Sequence, residues 1–120
     1  MKLYLTRDSV AAGDDVDAPH LMEIEGPAAE DVSAAIAYVL GIGYLPRISG
    51  GKATWSVASN RIVAVLAQQW SQPKLLRGYD TSYKGLDVAE GRLRLHFNYH
   101  GQEEPETVLK ILRRVRLTAI

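Results

Sequence analysis

Arg92-Leu93-Arg94-Leu95-His96-Phe97-Asn98-Tyr99-His100 decides the fold class. Apolar and polar side chains alternate along it, and a β-strand turns that period into two chemically distinct faces. Leu93, Leu95, Phe97 and Tyr99 are predicted to face a core, with Arg92, Arg94, His96, Asn98 and His100 facing outward. Downstream, Glu104-Pro105-Glu106 opens a predicted helix with an apolar stripe of Val108, Ile111, Leu112 and Val115. Lys110, Arg113, Arg114 and Arg116 load its later turns, where the helix dipole favours cations. Upstream, residues 71–91 show no sustained period, which marks either a functional connection or an element hidden from sequence.

Ala53-Thr54-Trp55-Ser56-Val57 alternates with Trp55 and Val57 inward, and Ala58-Ser59-Asn60-Arg61 reads as a hairpin turn into Ile62–Trp70. That second arm also fits a helix capped by Ser59 or Asn60. Its β-branched cluster favours a strand, apolar on both faces and therefore central. The Gly43–Lys52 stretch is a Gly- and Pro-rich loop. Before it, Val32, Ile36, Val39 and Leu40 form a helical stripe over about 28–40, with Pro27 suited to the first helical position, Glu30 and Asp31 in the first turn and Gly41 as the left-handed cap. His20–Glu25 sets Met22 and Ile24 opposite Glu23 and Glu25, Ala11–Pro19 is a loop, and Lys2–Thr6 is a half-buried strand. The order is ββαβββα: an α+β fold with an antiparallel or mixed five-stranded sheet and two amphipathic helices on one face.

At 120 residues and 13.2 kDa the chain is predicted to form a single domain over 1–120, with roughly 6,400 Å² of folded surface against roughly 19,000 Å² unfolded. The absence of Cys excludes a disulfide framework, a thiolate metal site and a thiol nucleophile, and fits a reducing cytoplasm. No apolar run reaches membrane-spanning length, and Arg7 and Asp8 interrupt the first apolar stretch before signal-peptide length, so no export signal or membrane association is expected. The net charge of zero conceals a polarity. Residues 1–31 carry eight acids against Lys2 and Arg7, a net of −6, and the remaining 89 carry 12 bases and 6 acids, a net of +6. Such a chain either presents oppositely charged surfaces that steer a partner or pairs its halves internally.

No catalytic motif is complete. Ser49-Gly50-Gly51-Lys52 lacks the Walker spacing, with Pro46 where Gly is required and Ala53 after the Lys, and Gly41-Ile42-Gly43 follows a helix instead of opening one. Asp14, Asp15 and Asp17 with His20 nearby offer oxygens for a hard cation but lack the Gly and distant Glu of an EF-hand. His96 and His100 share a strand face about 13 Å apart, too far for one ion. With Arg92, Arg94 and Asn98 they make a basic stripe suited to phosphates, yet no Asp or Glu lies within it to complete an acid–base pair. Tyr44, Trp55 and Tyr79 lack a base-stacking pattern, and no Gly-x-Ser-x-Gly elbow occurs. Neither cofactor nor metal is expected. Trp55, Trp70 and Tyr99 read as packing residues.

The acidic Gly13-Asp14-Asp15-Val16-Asp17 loop, Glu23 and Glu25 beyond it, the hairpin from Ala53-Thr54-Trp55-Ser56-Val57 to Val65-Leu66-Ala67-Gln68-Gln69-Trp70 and the small α+β outline resemble the small immunity proteins of bacterial toxin–immunity systems, including those of contact-dependent inhibition. The resemblance implies a cytoplasmic, non-catalytic protein that binds a cognate toxin domain and blocks its active site. The overall neutrality departs from the strongly acidic balance frequent among nuclease-blocking members. Asp14, Asp15, Asp17, Glu23 and Glu25 are accordingly the expected partner-binding residues. A nucleic-acid-binding or RNA-processing role through Arg92, Arg94, His96, Asn98 and His100, with the basic helix, is the alternative.

Overall fold

The alternating stretch forms the strand around which the sheet is ordered. In the computed structural model, which describes residues 1–78 and 80–118 and side chains as far as Val115, the chain runs β1 (Lys2–Arg7), a 3₁₀ turn (Ala12–Asp17), β2 (Met22–Glu25), α1 (Val32–Gly41), β3 (Thr54–Ala58) and β4 (Ile62–Ala67). The two-residue strands β5 (Lys74–Leu75) and β6 (Val88–Ala89), then β7 (Arg92–Tyr99) and α2 (Pro105–Thr118), complete it. The sheet order is β2-β1-β7-β3-β4-β5, with β6 paired to the start of β7. It is mixed: β1 and β7 are parallel, from Lys2 opposite Arg92 to Arg7 opposite Phe97, and every other pair is antiparallel.

The sequence predicts five strands, and the sheet has seven because residues 71–91 supply β5 and β6, each too short to show a period. The helices occupy opposite faces, not one. Val65 and Leu66 are successive strand residues and so point to opposite sides. Leu66 joins the cluster of Leu3, Leu5, Trp55, Val57, Leu93, Leu95 and Phe97 with the α1 residues Val32, Ala35, Ile36 and Val39. Val65 joins Leu76 with the α2 residues Val108 and Leu109. The strand reading of 62–70 holds, but β4 stops at Ala67, whose carbonyl accepts a turn bond from the Trp70 amide.

Helix α1 begins four residues later than the sequence suggests. Asp31 is its N-cap, its Oδ1 accepting from the Ala34 amide at 3.0 Å, so Pro27 and Glu30 precede the helix. Gly41 is still helical, and the left-handed residue beyond the helix is Gly43 at φ 73°. Leu40 is exposed and Ala35 takes its place in the stripe. Helix α2 is similarly rotated. Val108 and Leu109 are buried, whereas Ile111 and Val115, assigned by period to the core, are 54% and 56% exposed. The anchors turn it so: Arg113 donates to the carbonyls of Leu75 and Leu76, and Lys74 pairs with Glu106, which fixes that flank over β5. Among the described residues no helix is long and apolar enough to cross a membrane.

Leu109→Ala is expected to cost about 2–5 kcal/mol in urea denaturation, and Ile111→Ala only about 0.5 kcal/mol. Equal losses would contradict the rotated face of α2.

Candidate functional site

Where β1 ends, the chain builds a turn around one arginine. Arg7 is buried at the last position of β1, and its guanidinium is met by Asp14, with Nη1 donating to Oδ2 at 2.8 Å and Nη2 to Oδ1 at 3.4 Å. The Val10 amide also donates to Asp14 Oδ2 at 3.1 Å. The hydrogen bonds from Arg7, then that from Val10, hold the Asp14 carboxyl at about 2, well below its ordinary 3.8. Across the turn, His20 adopts a left-handed backbone at φ 59°, its amide bonded to the Asp17 carbonyl at 2.7 Å. Its carbonyl accepts from Tyr44 Oη at 2.6 Å, and its Nε2 lies 3.0 Å from Ser9 Oγ. Burial pushes the Tyr44 phenol up to about 12, so it remains a donor throughout the neutral range.

The consequence is a segment fixed from inside that displays its remaining groups outside. Asp15 and Asp17 are exposed, and between them Val16 is 85% exposed. Leu21, 56% exposed, and Met22 continue the surface, lining with Asp17, His20 and Tyr44 a groove beside the turn. The five acids predicted as one surface are not one surface. Asp14 is consumed by Arg7, and Glu25 stands opposite Lys2, about 16 Å along β1 from the turn. Glu23 is held by Arg92 at 2.9 Å and faces Lys2 at 3.9 Å.

The basic stripe is likewise tied down. Arg92 also meets Glu90, and Arg94 lies over the Tyr4 ring at 5.1 Å. His96 receives what the sequence stripe lacks: its Nε2 is 3.0 Å from Asp8 Oδ1 and its Nδ1 is 2.7 Å from Thr6 Oγ1. Asp8 Oδ2 in turn accepts from the Tyr99 amide at 2.9 Å. Asn98 donates to Ser56 Oγ, which lies 2.8 Å from His100 Nε2, and burial lowers the His100 pKa against the opposing charges of Asp8 and Glu103. No local signal points to Thr6 and Asp8, since only the parallel register of β1 and β7 brings them to His96. On α2, Lys110 and Arg114 are exposed, Arg113 is spent on carbonyls, and the side chain of Arg116 lies outside the described residues, as does Tyr79. Among the described residues no group of three or more His, Asp or Glu converges to hold a metal.

No known protein family matches this chain, and neither a curated relative nor a solved structure is similar to it.

The Asp14 carboxyl is more acidic folded than unfolded, so its contribution is complete above pH about 4 and is lost as pH falls toward 2. Asp14→Asn should therefore lower the urea midpoint at pH 7, with the difference from the parent chain shrinking between pH 4 and 2. A constant difference across that range would disprove the clamp.

Proposed function

We propose that this chain is a non-catalytic protein-binding module, an immunity-type inhibitor whose contact surface is the clamped turn bearing Asp15, Val16 and Asp17, continued by Leu21 and Met22. The observation that supports the reading most is the coexistence of an almost fully exposed Val16 with a turn anchored beneath it by the hydrogen bonds of Asp14 to Arg7 and the Val10 amide. Exposed apolar side chains framed by charge are what a partner-binding patch presents. Fixing them in advance removes ordering entropy from the association step. The two carboxylates add steering toward a basic protein surface and discrimination against acidic ones. A toxin domain with a cationic substrate cleft and an apolar rim is the partner that complements this surface.

The nucleic-acid alternative is weaker on this geometry. Arg92 is shared by Glu23 and Glu90, and His96 is engaged by Asp8. The stripe therefore offers phosphates less free positive charge than its sequence suggests.

The decisive comparison is affinity capture from the native host's lysate by the parent chain and by Asp15→Lys/Asp17→Lys, at low and moderate salt, with bound species identified by mass spectrometry. One stoichiometric protein retained by the parent and lost by the variant is expected, with the variant's folding stability within about 0.5 kcal/mol of the parent. Equal capture by both would move the interface elsewhere. Recovery of nucleic acid alone would overturn the reading. Asp14 is left intact because reversing it would break the clamp beneath the surface.

A further inference from the structure

Leu40 fits the helical period of α1 yet stays out of the core, and it lines instead a cleft of about 280 Å³ at the C-terminal end of that helix. The cleft lies between the helix end, the loop that follows it, and the end of β4 with the turn beyond. Its walls are largely apolar, from Leu40, Leu45, Pro46, Leu66 and Trp70, and Trp55 lines it as well. The loop wall is tied to β4 by one side-chain amide. Gln68 Oε1 accepts from the Ala53 amide at 2.7 Å, and its Nε2 donates to the Ile48 carbonyl at 3.4 Å. On the helix side, Gly43 at φ 73° turns the chain, and the Tyr38 and Leu40 carbonyls accept from the Ile42 and Gly43 amides, so these acceptors of the helix end are already in use.

What the cleft holds in excess is hydrogen-bond donors. Trp55 is only 2% exposed, with its ring centroid 4.8 Å from that of Tyr99, yet its indole N–H meets no acceptor among the described residues. A donor on so deeply buried a side chain is costly to leave unmatched. Arg47 is exposed at the cleft and pairs with no carboxylate among the described residues, and the Gln72 side chain beside it likewise has no partner there. No acid of the surrounding chain offsets Arg47, because no Asp or Glu occurs between Asp31 and Asp80, the stretch that supplies the whole lining. Lys74 and Glu106, which meet at Trp70, pair with each other and add no net charge.

We propose that this cleft binds a small aromatic monocarboxylate, with its ring against Leu40, Leu45, Leu66 and Trp70 and its carboxylate among the donors of Arg47, Gln72 and Trp55. One unpaired cation matches one carboxylate, and the planar guanidinium fork suits its two oxygens. An aromatic body makes use of the tryptophan rings in the wall, which favour offset or edge contacts with another ring. The volume lies at the small end of ligand pockets, and apolar walls with a few polar groups are their usual composition. The proposal stands apart from the protein-binding reading, since it involves none of the residues of the clamped turn.

2-Naphthoate, its neutral analogue 2-naphthalenemethanol and its cationic analogue 2-naphthylmethylammonium, each titrated into the ¹⁵N-labelled full chain at constant ionic strength, test it. The two tryptophans of the chain both line the cleft, so their indole N–H signals report on it directly. With 2-naphthoate, saturable shifts are expected at both indole signals and at the amides of residues 40–47 and 66–72. The alcohol and the ammonium should each bind at least about tenfold more weakly. Arg47→Gln, a change at an exposed side chain, should reduce 2-naphthoate affinity about tenfold with the spectrum elsewhere unchanged. Trp55→Phe, which keeps a ring against Tyr99 and removes the N–H, should reduce it about fivefold. Shifts that do not saturate, shifts centred on other exposed apolar residues such as Val16 and Leu21, equal affinity for the alcohol, or an unaffected Arg47→Gln variant would each overturn the proposal.

Discussion

The parallel pairing of β1 with β7 is the constraint on which the rest of the molecule depends. It joins residues 2–7 to residues 92–97, so the chain between must leave the sheet and return before the central pair can close. Closing so long a loop is entropically costly, and the compensation is burial: Leu3, Leu5, Leu93, Leu95 and Phe97 are all essentially inaccessible on one face. Once β7 lies between β1 and β3, the other face becomes a row of polar side chains in fixed register. Tyr4 lies beside Arg94, Thr6 beside His96, and Ser56 beside Asn98. Among the described residues, helix α2 covers the β4 and β5 part of that face, through Val65, Leu76, Val108 and Leu109 and the anchors of Arg113 and Glu106.

The same pairing explains what the charge polarity of the sequence amounts to. Strand β2 pairs with β1 and so comes within reach of β7, where Glu23 meets both Lys2 and Arg92. At the opposite end of β1, Asp8 reaches across to His96 and to the Tyr99 amide. The acidic beginning and the basic remainder are therefore cross-linked along one strand pair. These contacts are partly exposed and contribute little to stability each, but they remove charge from the solvent face. Asp15 and Asp17 remain the exposed acids of the 3₁₀ turn.

Much of this was legible where local period and tertiary environment agree. The alternation of β7 and the double-sided apolar character of β4 could be read directly because each face of each strand has one chemical role. The faces of α1 and α2 were less legible, since Leu40, Ile111 and Val115 fit the helical period yet lie outside the core. Period constrains a helix only to within a turn or so, and the anchors of Arg113 and Glu106 on the β5 side, which set the rotation, are long-range contacts. Strands of two residues carry no period at all, so β5 and β6 were invisible. The His96 environment was hidden for a related reason: its members come from segments distant in sequence, and no spacing rule relates Asp8 to His96.

Within the acidic turn, two adjacent carboxylates perform opposite tasks, and burial separates them. Arg7 lies at the buried end of β1, where its Nε has no partner among the described residues and its charge demands an anion nearby. Asp14 supplies it. Such a pair is a poor source of net stability, because desolvation offsets much of the attraction. Its effect is geometric. With Asp14 fixed between Arg7 and the Val10 amide, the following residues have little freedom, and Asp15, Val16 and Asp17 are carried outward on a backbone already set. A hydrophobic pair in place of Arg7 and Asp14 would fill the same space without setting the direction of the turn. Retaining a costly buried charge at this point is therefore better explained by orientation of the exposed residues than by stability of the fold.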